Sequence, residues 1–307
     1  MSSITISTDN PFQKLITETQ DDPAQLQYSY ENHRVNRNAQ QQAIILADDF
    51  PGWKVDDILM RLDGPRKEDD YIDPRNCLVF WGRPPSPVRD LIAYVQDELK
   101  AVAPSLWTMP LQNLHITVLE VAHSLTKDEI EGLVQTLKSS TEVTPNQISE
   151  YPTSHKTRLL KPIVSFDSAA LALSFVPAAG EPARGQSRGA SDDYSYHHLR
   201  RDIFDLTRQA NLPVASRYVV PSAHLTIARF INHDGFLIEE GERKGQIDRS
   251  RVKILIDKID EINKKLESEY WPQADGTIRE GGEFIVGGKR GLTMRRNRVW
   301  YGGGEDM

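Results

Sequence analysis

Asn113-Leu114-His115-Ile116-Thr117-Val118-Leu119 and Ser222-Ala223-His224-Leu225-Thr226-Ile227-Ala228 are the two stretches around which the chain is organised. Each sets a histidine two residues ahead of a threonine inside an apolar, β-branched run. Such a run predicts a buried strand, and strand alternation places residues i and i+2 on one face. His115 therefore projects beside Thr117 and His224 beside Thr226, while Ile116, Val118, Leu225 and Ile227 turn the other way into a core. A proline lies shortly before each run, Pro110 and Pro221, as expected where a loop leads into a strand. Side by side, two such strands would bring two imidazoles and two hydroxyls to one cleft.

The pattern exceeds chance by its context rather than its count. With 8 His and 37 Ser plus Thr in 307 residues, independent draws give roughly one His followed two places on by a hydroxyl residue. Three occur. The third, His155-Lys156-Thr157, lies in the polar stretch from Tyr151 to Arg158 with no strand pattern, and is taken as the chance occurrence.

A chain of 307 residues, 38% hydrophobic and 26% charged, has the material of one large or two small globular domains. No apolar run is long enough for a transmembrane helix, and the first residues lack the basic and apolar regions of a secretory signal. One cysteine, Cys77, excludes an intrachain disulfide and suits a reducing, intracellular setting, cytoplasmic or nuclear. It sits in the apolar run Cys77 to Trp81 and reads as a buried small residue. The net charge of −7 argues against a broad basic face gripping long nucleic acid, yet a local Lys/Arg cluster suffices for a single phosphate.

Residues 1–72, rich in Gln, Asn and Asp, read as a partly helical N-terminal extension with helices around His33–Asp49 and Asp56–Leu62. A charged, turn-prone stretch from Gly64 to Asp70 marks the boundary. A regular alternation follows: a strand at Cys77–Trp81, then a helix from Ser86-Pro87 carrying Val88, Leu91, Ile92, Val95 and Leu99. The His strand at 114–121 leads to a helix opened by the capping box Thr126–Glu129. The second half repeats the order, with a strand within Ile163–Val176, a helix from about Ser191–Asp193, the His strand at 222–230 and a helix over Val252–Leu266. Strands at Glu283–Gly287 and Arg298–Tyr301 would complete a sheet. The expected fold is α+β and bilobal: duplicated strand-helix-strand-helix units with antiparallel sheets around a central cleft. Residues 73–303 form it, with lobe 1 at about 73–145 and lobe 2 at about 160–303. The loops Tyr151–Pro162 and Ala178–Ser191 are charged or flexible in composition and read as solvated rather than as phosphate lids.

Two imidazoles facing one cleft suit in-line attack on a phosphodiester, which needs a base for the incoming oxygen and an acid for the leaving one. Hydroxyls beside them can bond the non-bridging oxygens. There is no carboxylate-rich site or His-x-Glu motif, and neither metal nor cofactor is expected. His123, His197 and His198 read as structural, and His33 and His233 as surface residues.

Leu114-His115-Ile116-Thr117-Val118 and Ala223-His224-Leu225-Thr226-Ile227-Ala228-Arg229 resemble the paired His-x-Thr motifs of the two-histidine (2H) phosphoesterase superfamily. With its trailing Ala-Arg, the second resembles the RNA 2′,5′-ligase and cyclic nucleotide phosphodiesterase branch. The resemblance spans about residues 73–303. It implies a bilobal, pseudo-twofold fold and metal-independent cleavage of phosphodiesters, with His115 and His224 as the acid–base pair and Thr117 and Thr226 as phosphate contacts. Arg229 faces away from His224 under strict alternation and needs a bulge to reach the cleft. Trp107, Tyr218, Trp300 and Tyr301 are candidate base-stacking residues.

The expected activity is that of a phosphodiesterase on a nucleotide 2′,3′-cyclic phosphate or a related 2′,5′-type diester. The expected partner is a small nucleotide or an RNA end, with no membrane, and a monomer is anticipated. Three alternatives stay open. One is an RNA 3′-end processing exonuclease of the same superfamily; another is a non-catalytic nucleotide- or RNA-binding module on this fold; the third is a hydrolase using the same acid–base pair on a substrate that is not a nucleotide.

Overall fold

The computed structural model describes residues 9–182, 192–288 and 290–307. Three helices come first: α1 (Gln13–Glu18), α2 (Pro23–Ile45) and α3 (Asp57–Leu62). Asp22 and Asp56 cap α2 and α3 by accepting from the Gln25 and Leu59 amides, donors that a helix start leaves free. Residues 9–72 are more than the extension expected. Phe12, Tyr30, Ile45, Phe50, Trp53 and Leu59 are buried in the same core as the rest of the chain. Trp53 stacks on Phe230 at 4.0 Å between centroids.

The alternation then runs as β1 (Asn76–Gly82), α4 (Ser86–Val102), β2 (Trp107–Thr108), β3 (Ile116–Leu125) and α5 (Lys127–Ser139). Every residue of β1 is buried, as its continuous apolar run requires. Thr126 and Glu129 form the capping box that opens α5. The second half runs α6 (Pro145–Ser154), β4 (Thr157–Phe166), β5 (Ala170–Pro177), α7 (Tyr196–Gln209), β6 (Ala223–Arg229) and α8 (Arg249–Tyr270). It ends with β7 (Glu283–Val286), β8 (Thr293–Asn297) and β9 (Glu305–Asp306).

Several expectations are corrected here. The Tyr151–Pro162 loop is the end of α6 and the start of β4, and the single strand expected within 163–176 is a β4–β5 hairpin turned at Asp167, whose carboxylate accepts from the Ala169 and Ala170 amides. Helix α7 starts at Tyr196, where the Ser195 hydroxyl accepts from His197 N, rather than at 191–193. Of the loop expected at Ala178–Ser191, residues 183–191 lie outside the described residues. Arg298–Tyr301 is a turn, and the tail strands are β8 and β9 instead.

The fold is α+β with two antiparallel sheets, ordered β3-β1-β8-β9 and β2-β6-β5-β4-β7. Chain order and sheet membership cross twice. β2, from the first half, adds to β6, and the tail strand β8 returns to pair with β1. The lobe boundaries read from the sequence miss both crossings, since a terminal strand can complete either sheet and its own alternation does not say which.

Candidate active site

The two histidine strands belong to different sheets and pack against each other where the sheets meet. A cavity of about 80 Å³ opens there, lined by all four of His115, Thr117, His224 and Thr226. The predicted alternation is visible in burial: Ile116, Val118, Leu225 and Ile227 are buried, while the histidines and threonines between them stay partly open. His115 sits one residue before β3 begins, whereas His224 is within β6.

Each imidazole is held through Nδ1 by the residue two places earlier. His115 Nδ1 lies 2.8 Å from the Asn113 carbonyl oxygen and His224 Nδ1 lies 2.9 Å from Ser222 Oγ. A carbonyl only accepts, so His115 carries its proton on Nδ1 and presents the Nε2 lone pair. Asn113 is itself braced, because its amide donates to Tyr301 O at 3.1 Å. Gly302, at φ +78°, packs so closely that an added Cβ would overlap the Asn113 side chain and carbonyl. The Trp81 ring stacks on His115 with centroids 3.7 Å apart and planes 17° from parallel. That contact follows from register, since Trp81 pairs directly with Thr117 and so shares its face.

Burial, the first cause, pushes His115 down to about 3, against a raising bond to Asn113 and with Arg83 and His224 adding to the fall. Burial likewise pushes His224 down to about 4, assisted by Arg200, Arg37 and Arg229 and opposed by Asp167. Both rings are therefore neutral at pH 7 in the free protein. Neither Nε2 and neither threonine hydroxyl has a hydrogen-bond partner among the described residues.

Arg229 reaches the cavity wall, and the reason is a bulge. Leu171 pairs with Ala228 but Ala172 pairs with Thr226, leaving Ile227 as the extra residue in β6. Arg229 Nη1 lies 3.3 Å from Asp56 Oδ2, and its Nε is a buried donor with no partner among the described residues. Trp300 Nε1, on the same wall, is another. Glu120, only 4% exposed, binds Arg217 through both oxygens at 2.7 and 3.0 Å. Arg200 also lines the cavity, donating to Val118 O and Val220 O and lying over the Phe12 ring.

Of the aromatic candidates, Tyr218 and Trp300 line the cavity. Trp107 is buried, with its indole donating to Asp63, and Tyr301 donates to Asp56. Trp81, Ser222, Glu120, Arg200 and Arg217 were missed by the motif reading. Trp81 shares a strand face with Cys77 and Val79, which also line the cavity, but only the β1–β3 register reveals it. His197 is structural, held between Tyr30 Oη at 2.8 Å and Phe12 O at 2.9 Å, and His198 joins the α7 cap and Asp21. His233, expected exposed, is half-buried with Nε2 donating to Trp53 O. His155 stacks on Tyr151, away from the cavity. Among the described residues no group of three or more His, Cys, Asp or Glu could hold a metal ion, and no helix is long and apolar enough to cross a membrane.

No family model and no curated protein matches the chain. Among solved structures it is similar to Kluyveromyces marxianus Usb1, at 13% identity and a TM-score of 0.33, over 73% of this chain and 93% of that one.

Proposed function

We propose that the protein is a phosphodiesterase of the two-histidine kind, with His115 and His224 as its acid–base pair and a nucleotide diester bearing a 2′ or 3′ ester oxygen as substrate. The observation that carries this reading is one cavity lined by both His-x-Thr pairs, each Nε2 and each hydroxyl left without a partner among the described residues. A phosphate in the cavity would give the threonine hydroxyls acceptors, and Arg200 would offset its charge. Donors fixed before the reaction stabilise charge without reorganising.

On a 2′,3′-cyclic phosphate, one imidazole takes a proton from water as the water oxygen bonds to phosphorus. The other gives its proton to the departing 2′ or 3′ oxygen as that P–O bond breaks. Both rings are neutral in the free protein, so one must acquire a proton as the anionic diester binds. An adjacent negative charge favours that protonation. On an RNA end the same pair serves equally when a neighbouring 2′-hydroxyl replaces water as the nucleophile.

The test is turnover in EDTA of the four nucleoside 2′,3′-cyclic monophosphates, a 2′,5′-linked dinucleotide and an RNA with a free 3′ end. His115→Ala and His224→Ala should each lower kcat by about 10²- to 10⁴-fold, the usual contribution of a positioned acid or base. Undiminished turnover in both variants would refute the assignment. Binding without turnover in the wild type would favour a non-catalytic module.

A further inference from the structure

We propose that the outward face of α2 is a subsite for single-stranded RNA, holding nucleotides next to the phosphate that reacts. The inference rests on the phosphodiesterase reading and names the substrate class: an oligonucleotide end rather than a free mononucleotide. It starts from size. The His-lined cavity, at about 80 Å³, is well below the roughly 300–1,000 Å³ of pockets that enclose a whole small ligand. It has room for the reacting phosphate and leaves the sugar and base outside.

A second groove, of about 430 Å³, begins beside it. Tyr28, Asn32, Asn36, Arg37 and Gln40 of α2 line it, closed on one side by Pro221. Pro221 lies between Val220 and Ser222, both of which line the catalytic cavity, so the two spaces share one segment of chain as their wall. Tyr218, Val219 and Val220 along this segment are exposed large side chains, as is Tyr28 at 64%. Arg37, on α2, and its ion-pair partner Asp167 both act on the protonation of His224. The helix thus stands within electrostatic reach of the reacting centre.

The groove carries the chemistry that unpaired nucleotides need. Tyr28, Asn32, Asn36 and Gln40 recur every four residues on one stripe of α2, which flanks the buried stripe of Leu26, Tyr30 and Arg34. Tyr28 offers a ring for stacking and three amides can meet base edges, while Arg37 is held by Asp167. Asn36 donates to Asn32 Oδ1 at 2.9 Å, which fixes the two side chains and leaves the Asn32 amide N–H and the Asn36 oxygen free to read a base. The net charge of −7 fits a short contact of a few nucleotides.

The experiment compares a hexanucleotide RNA ending in a 2′,3′-cyclic phosphate with the matching nucleoside 2′,3′-cyclic monophosphate, on wild type and on Tyr28→Ala/Asn36→Ala/Gln40→Ala. Wild type should prefer the hexanucleotide by about tenfold or more in kcat/KM, the scale of one or two base stacks. The triple variant should lose that preference through KM while its kcat/KM on the mononucleotide is unchanged. Fluorescence anisotropy with a labelled hexanucleotide, in a His115→Ala/His224→Ala background, measures the groove independently of turnover. Weaker binding on adding the three substitutions supports the subsite. Equal kcat/KM for the two substrates, or binding unaffected by the substitutions, overturns it, and turnover of the mononucleotide would still uphold the phosphodiesterase reading. Absence of all turnover with groove-dependent binding would sink that reading and leave the subsite standing.

Discussion

A pH profile tests the electrostatics of the site directly. In-line catalysis needs one imidazole protonated and the other neutral, and kcat/KM reports the free protein. Burial and the surrounding arginines hold His115 and His224 at about 3 and about 4. At pH 7 about one molecule in a thousand then carries the required single proton, against about one in ten at pH 5. Because a phosphodiester stays a monoanion over this range, kcat/KM should rise about a hundredfold from pH 7 to pH 5. In the complex the balance shifts. An anionic oxygen about 4 Å from an imidazolium, at an effective dielectric constant near 20, contributes about 4 kcal/mol, or about three pKa units. The kcat profile should therefore lose activity only above about pH 7. Stopped-flow or discontinuous assays at constant ionic strength, from pH 5 to 8.5, separate the two parameters. A kcat/KM flat between pH 5 and 7, or peaked near 6.5, would refute the claim that the free site is held neutral.

Other outcomes follow from the same contacts. His197 is buried and pushed down to about 3 from an ordinary 6.5. Below pH 6.5 the unfolded chain takes up a proton that the folded one refuses, so stability is full above 6.5 and falls as pH drops towards 3. His197 alone costs about 2 kcal/mol at pH 5, and an unchanged urea midpoint between pH 7 and pH 5 would contradict this. With a 4-nitrophenyl diester, whose leaving group needs no proton, one and only one of His115→Ala and His224→Ala should recover activity, which identifies the acid; recovery of both or neither would exclude separate roles. Arg217→Ala strips Glu120 of its partner and leaves a carboxylate on the cavity wall, so KM should rise about tenfold. Adding Glu120→Gln should restore it, and a double variant no better than the single would exclude this cause. Gly302→Ala should lower kcat by displacing Asn113 from His115, with little change in KM; wild-type kcat would show that the brace is idle.

That His115, Thr117, His224 and Thr226 share one cavity was legible because strand alternation is a local rule. His115, Thr117, His224 and Thr226 could be placed on a face from their own neighbours, and Arg229 could be flagged as needing a bulge. What lies across a strand pair could not be read this way. Trp81 meets His115 only through the β1–β3 register, and Ser222 gains its role from the bend that brings its hydroxyl back to Nδ1. The Thr144–Gln147 capping box that opens α6 was present in the sequence, but the polar run after it obscured the helix. That residues from Phe12 to Leu59 join the core was hidden for a different reason. Helix α2 is polar along most of its length, so Tyr30, Arg34 and Ile45 form too thin a buried stripe to announce a core contribution.

Net charge was the least informative guide, and the reason is structural. The arginines near the histidines come from distant segments, and most are individually neutralised: Arg217 by Glu120, Arg229 by Asp56, Arg37 by Asp167 and Arg295 by Asp306. Arg83 and Arg200 differ. Among the described residues neither contacts a carboxylate. Arg83 donates to the carbonyls of Asn113 and Leu114, and Arg200 to those of Val118 and Val220. Two uncompensated guanidiniums are thus fastened to the backbone beside the His strands, where a whole-chain sum of −7 conceals them. Such an arrangement draws a single phosphate inward, while the acidic remainder of the chain disfavours the many-phosphate contact that long nucleic acid requires. On the proposed reading, specificity for a short end would follow from where the positive charge is fixed, rather than from how much of it the chain contains.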